Sequence, residues 1–197
     1  KKIKKKIPQK KISKFWKLRL SGNLNDPDYL KASKISKNKK YQIPKNVIFL
    51  HVMKDSPFAT IDKKRIFFNY HQWIIETIKI LKESKEIWSL RIHPNSNPWG
   101  ENTFLVIKEI EKKYFNGKFP SNIIMDNKFA SNLEVFKKIT RCVTFNGTAS
   151  IESSCYGIKP IIISDNALSE LNKNYVHKPR NIDQYKKLLL KKNDDSI

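Results

Sequence analysis

The run Thr144-Phe-Asn-Gly-Thr-Ala-Ser-Ile-Glu152 changes character at Asn146-Gly147, where an apolar strand pattern gives way to a helical one. Backbone N–H groups at a helix start, beside the hydroxyls of Thr148 and Ser150 and the small Ala149, suit an anion. Gly147 lets the backbone come close to a ligand. The same residues also read as an ordinary turn, with Gly147 at the bend and Thr148 as N-cap. The pattern alone leaves both readings open. The run is not a P-loop, because no Gly-Lys-Ser/Thr follows, and the three-glycine dinucleotide spacing is missing.

A second group gathers at His93, which Pro94 and Asn95 follow. A histidine there can donate to a phosphate or a sugar oxygen. Arg91 shares its side by the two-residue strand period, so a paired anion contact is conceivable. His51 and Asp55 could form a base and its orienter, although no nucleophile stands near them in sequence. Gly-x-Ser-x-Gly is absent, so no nucleophile elbow is expected. His51, His71, His93 and His177 lack metal-motif spacing, and so do Cys142 and Cys155, which read as core thiols.

These residues must be positioned by their elements. Asn46–Val52 is a continuous apolar run of the kind found in strands buried on both faces. Comparable strands are expected over Glu86–His93, Asn122–Met125, Arg141–Phe145 and Pro160–Ile163. Between and after them lie helical patterns: Asn69–Lys85, Glu101–Phe115, Ser131–Ile139 (capped by Ser131), Thr148–Tyr156 (closed by Gly157) and Asp183–Lys192. Strand and helix alternate with short joins. The expected fold is α/β, a Rossmann-like open parallel sheet of about five strands with helices on both faces. Ligands of such sheets bind beyond the carboxyl ends of the strands, where the residues named above fall.

The 197 residues include 40 Lys+Arg and 18 Asp+Glu, a formal charge of +22. Residues 1–45 hold 16 of the basic residues and two acids, so the chain divides into a lysine-rich segment, irregular or partly helical, and a domain over 46–197. A basic arm suits nucleic acid or an anionic membrane surface. Lysine dominates over arginine, however, and 26 Ile and 18 Asn accompany it, the mixture an AT-rich coding sequence produces. The arm also lacks a regular aromatic stripe, which argues against nucleic acid more than against a membrane surface. Two cysteines exclude a disulfide scaffold, and no apolar run approaches a membrane span. The expectation is a cytoplasmic protein, with a peripheral place at the inner face of the cytoplasmic membrane as the option the basic arm leaves open. The chain starts without Met and reads as a fragment of something longer.

The segments His-Val…Asp-Ser-Pro, Phe-Asn-Tyr-His-Gln-Trp-Ile-Ile-Glu-Thr-Ile, Trp-Ser-Leu-Arg-Ile-His-Pro-Asn and Thr-Phe-Asn-Gly-Thr-Ala-Ser-Ile-Glu-Ser-Ser-Cys-Tyr-Gly-Ile-Lys-Pro-Ile-Ile follow in that order. Together they resemble bacterial capsule polysaccharide biosynthesis proteins. More broadly they are similar to the donor-binding half of GT-B glycosyltransferases, including the Kdo- and sialyl-transferring kinds. The resemblance covers about residues 46–182 and leaves the lysine arm outside. It implies that His93 contacts the nucleotide of a CMP- or UDP-linked sugar, with Thr148 and Ser150 holding phosphate and Gly147 and Ala149 supplying backbone. Glu152 matches a position from which an acid reaches donor hydroxyls. Arg91, Asn95 and Asn146 complete the expected donor site, and no cofactor is implied. The second Rossmann-like domain of a GT-B enzyme, which carries the acceptor site, is not recognisable, and residues 1–45 are too few to form it.

The leading expectation is therefore a nucleotide-sugar donor-binding domain of surface polysaccharide synthesis, acting on a glycan or glycolipid acceptor with a missing N-terminal half. The alternatives are a basic nucleic-acid- or polyanion-binding α/β module without catalysis, and a non-catalytic remnant of the fold.

Overall fold

A computed structural model describes residue 14 and residues 43–53, 66–93, 100–126, 132–164 and 174–191. Five strands form one sheet: β1 (Asn46–Phe49), β2 (Trp88–Arg91), β3 (Ile123–Asp126), β4 (Arg141–Thr144) and β5 (Ile161–Ile162). All pair in parallel, in the order β3-β2-β1-β4-β5. The helices are α1 (Tyr70–Leu81), α2 (Thr103–Tyr114), α3 (Asn132–Phe136), α4 (Ala149–Ser154) and α5 (Ile182–Leu190). The chain is thus an α/β protein with a Rossmann-like open sheet, as the alternation of patterns requires.

The strands are largely apolar because both faces of the sheet are covered, with polar residues such as Asn46, Arg91, Asp126 and Thr144 at their ends. Ile48, Leu90 and Val143 join the core beneath α1, α2 and α5, with Trp73, Ile78, Ile107 and Leu189. Val47, Phe49 and Cys142 point the other way, against Val135 and Phe136 of α3. The apolar runs outlast the ladders. Leu50, Phe145 and Ile163 stay buried past their strands, so the observed strands are shorter than the sequence pattern suggests. All three still make backbone bonds to neighbouring segments, so the pairing thins out at the strand ends before burial does.

Helix placement follows from handedness. From β1 the chain steps outward through β2 to β3 with α1 and α2 on one face. It then returns to the other side of β1, and α3 and α4 lie on the opposite face. A right-handed crossover must change faces when its direction reverses. The reversal leaves a switch point between β1 and β4, the place where such sheets bind ligands.

The longer helices begin where asparagine can cap them. Asn69, Asn102 and Asn181 each accept a backbone N–H three residues on, from Gln72, Leu105 and Gln184. The last helix folds back onto α1, where the Tyr185 hydroxyl accepts the Trp73 indole N–H at 3.0 Å and pairs with the Thr77 hydroxyl at 2.8 Å. Among the described residues, no helix is long and apolar enough to cross a membrane. Apart from residue 14 and residues 43–45, the lysine-rich segment lies outside the described residues, as do Asp55, Asn95 and the expected cap Ser131.

Candidate functional site

His51 follows β1 and lies across the switch point from the end of β4. Its Nε2 accepts the Asn146 backbone N–H at 3.2 Å and stands 3.3 Å from the Thr144 hydroxyl oxygen. A peptide N–H can only donate, so Nε2 carries a lone pair and the ring proton sits on Nδ1. The Thr144 hydroxyl then donates to the same nitrogen. Burial, followed by the neighbouring His93, pushes the His51 imidazole down to about 3, in keeping with a neutral ring.

Two rings stack with that imidazole. Tyr70, at the start of α1, stacks at 5.2 Å between centroids and 15° between planes, and His93 lies at 6.4 Å and 21°. Tyr70 in turn meets Phe145 edge-on at 4.5 Å. Histidines from the ends of β1 and β2 thereby meet, and His51 lies against the turn that leaves β4.

Gly147 explains why that turn fits so closely. A Cβ built there would lie 2.9 Å from Thr144 Oγ1, nearer than real Cβ contacts come, and 3.0 Å from His51 Nε2, tighter than nearly all of them. Only a residue without a side chain leaves the imidazole and the threonine in place. Thr148 is exposed, and its side chain makes no capping hydrogen bond. The side chain of Ser150 is buried instead, its hydroxyl donating to the Gly147 carbonyl at 2.6 Å. Ser153 and Ser154 donate in turn to the Ser150 carbonyl, at 3.0 and 2.8 Å. Ser150 therefore braces the turn from inside, while Thr148 faces outward. Among the described residues, the backbone N–H groups of Gly147, Thr148 and Ala149 donate no hydrogen bond.

Arg91 and Glu152 lie deeper. The Arg91 guanidinium donates to Asp126 Oδ2 at 2.6 Å and to Asn132 Oδ1 at 3.3 Å. The Asn132 amide donates to Glu152 Oε2 at 3.2 Å. Arg91, Asp126 and Glu152 are all buried, so this polar chain ties β2, β3, α3 and α4 together beneath the edge. Asn146 Oδ1 and Ser164 Oγ, at the ends of β4 and β5, are buried with no partner among the described residues.

Sequence patterns missed Asp126, Asn132, Thr144 and Tyr70. Asp126 was within reach, as the one acid closing an otherwise apolar strand. Thr144 shares the side of Asn146 by the strand period. Cys142 is a core thiol as expected, its thiol pushed up to about 12 by burial. Cys155 departs from expectation: it is exposed at the end of α4. Among the described residues, no three His, Cys, Asp or Glu side chains are placed to hold a metal ion together.

The chain matches no protein-family model, no curated protein and no solved structure.

Proposed function

We propose that this chain is the nucleotide-sugar donor-binding domain of a GT-B-type glycosyltransferase in bacterial surface polysaccharide synthesis. The observation that carries the reading is the convergence of His51, His93 and the Asn146–Gly147 turn at the switch point. Open parallel sheets place nucleotides in that crevice. The resemblance of the His93-Pro94 pair and the Gly147–Glu152 block to capsule polysaccharide enzymes adds the ligand class, a CMP- or UDP-linked sugar.

In this reading His93 meets the nucleotide. Thr148 and the backbone of Gly147 and Ala149 take the phosphate, with Ser150 supporting the turn from behind. Transfer breaks the bond from the anomeric carbon to the phosphate oxygen and forms one to the oxygen of an acceptor hydroxyl, whose proton passes to a base of the second domain. The phosphate leaves with the bonding electrons, and hydrogen-bond donors aimed at it lower the barrier. The acceptor, a glycan or glycolipid, and the second domain would come from outside residues 46–197. The +22 charge favours an anionic membrane face as the place of work.

Calorimetric titration with CMP, UDP, GDP and ADP, on wild type and His93→Ala, tests the proposal. Saturable binding of CMP or UDP that His93→Ala abolishes is the expected result. Equal, salt-sensitive binding to all four would support a basic polyanion-binding module instead. Binding to none would count against a donor site in this chain.

A further inference from the structure

We infer that His51 is the positioning residue of the turn between β4 and α4, and that it acts as a neutral hydrogen-bond acceptor rather than as a base. The inference rests on the proposal that this turn receives the ligand. Its geometry is independent of which ligand that is.

Phe49 and Thr144 are the last register partners of β1 and β4, while Leu50 and Phe145 still bond outward to Arg91 and Ser164. The peptide N–H of Asn146 comes immediately before Gly147, where the ladder can no longer hold the chain. His51 replaces the ladder there, since Nε2 accepts that N–H at 3.2 Å. The same nitrogen receives the Thr144 hydroxyl, so one acceptor fixes both the last residue of β4 and the start of the turn. Gly147 packs against the ring so tightly that a Cβ would stand 3.0 Å from Nε2. Three contacts at one atom determine where Gly147, Thr148 and Ala149 present their backbone.

The same contacts remove the base role. A lone pair that already receives two donors is not available to take a proton from an acceptor sugar, and the ring's other nitrogen holds the proton. His93, half-buried and stacked with its ring centroid 6.4 Å away, is a separate group. Among the described residues, the titratable side chains against His51 are His93 from the end of β2 and Tyr70 from α1.

The experiment uses the full chain labelled with nitrogen-15. In the wild type, the His51 ring shifts should report the tautomer protonated at Nδ1. In His51→Ala, the amide signals of Asn146, Gly147 and Thr148 should move. In His51→Gln, whose side-chain carbonyl can accept the same N–H, they should stay near their wild-type positions. Affinity for CMP or UDP should fall about tenfold in His51→Ala and stay within about threefold in His51→Gln. A ring protonated at Nε2, or turn amides unmoved in His51→Ala, would overturn the inference. If wild type binds neither nucleotide, the donor-site proposal fails, and the tautomer and amide shifts still decide the role of His51. If His51→Ala does not fold, the wild-type tautomer and the His51→Gln amides decide it.

Discussion

Arg91 and Asp126 face each other across β2 and β3, Nη1 to Oδ2 at 2.6 Å, with side chains 7% and 1% exposed. A buried ion pair adds little over a well-packed apolar pair, yet removing one member strands the other charge at a cost of about 3–5 kcal/mol. Arg91→Ala should therefore lower unfolding free energy by about 3 kcal/mol, read by urea denaturation. The double variant Arg91→Met/Asp126→Leu should recover most of that loss. Equal midpoints for wild type and Arg91→Ala would show that the pair does not hold β3 to the sheet.

A single hydroxyl joins α5 to α1. Tyr185 is fully buried and serves both the Trp73 indole and the Thr77 hydroxyl, and burial pushes its phenol well above the usual range. Tyr185→Phe keeps the ring but strands a buried N–H, which costs about 1–3 kcal/mol. The melting temperature should fall by several degrees. Adding Trp73→Phe removes the stranded donor, so a double variant less stable than the two single losses combined would argue against this account.

The sequence pattern carried the fold well because burial on two faces makes the strands largely apolar, as at Val47–Leu50 and Cys142–Val143. It also brought out the turn after β4 and the histidines at two strand ends. What it could not carry was pairing. Arg91 shares a side with His93, which suggested a joint anion contact, but the β2–β3 register sets Asp126 directly opposite it. Strand three read from Asn122 to Met125 stops one residue short of that partner. Ser150 looked like a ligand hydroxyl because a helix start is polar in any register. Its hydroxyl turns inward to the Gly147 carbonyl, which only the three-dimensional path of the turn reveals.

Gly147→Ala and Gly157→Ala should separate two reasons for keeping glycine. Gly157 has φ +76° with nothing within 4 Å of a new Cβ. Its substitution should cost about 1–2 kcal/mol in backbone strain and leave nucleotide affinity alone. At Gly147 the added methyl meets Thr144 Oγ1 and His51 Nε2, so the turn must move. Affinity there should drop by tenfold or more, about 1.4 kcal/mol, measured by the same calorimetry. Equal affinity losses in the two variants would mean that stability, not the shape of the turn, governs binding.

The depressed His51 imidazole sets the sign of a pH effect. In the unfolded chain a histidine titrates near about 6.5, while in the folded protein His51 falls to about 3. Between those values the unfolded chain binds a proton that the folded one does not, so stability rises with pH. The contribution is complete above the unfolded value and is lost as pH falls from there toward the folded one, with a limiting slope of about 1.4 kcal/mol per pH unit. His177, lowered by burial and then by Lys159 and Lys191, acts in the same direction. Urea unfolding of wild type and His51→Gln across this acidic range isolates the His51 share. The wild type should lose stability more steeply on acidification than the variant. Parallel curves would mean that a proton reaches His51 as easily in the folded protein as in the unfolded chain, against its holding the Asn146 N–H on an unprotonated Nε2.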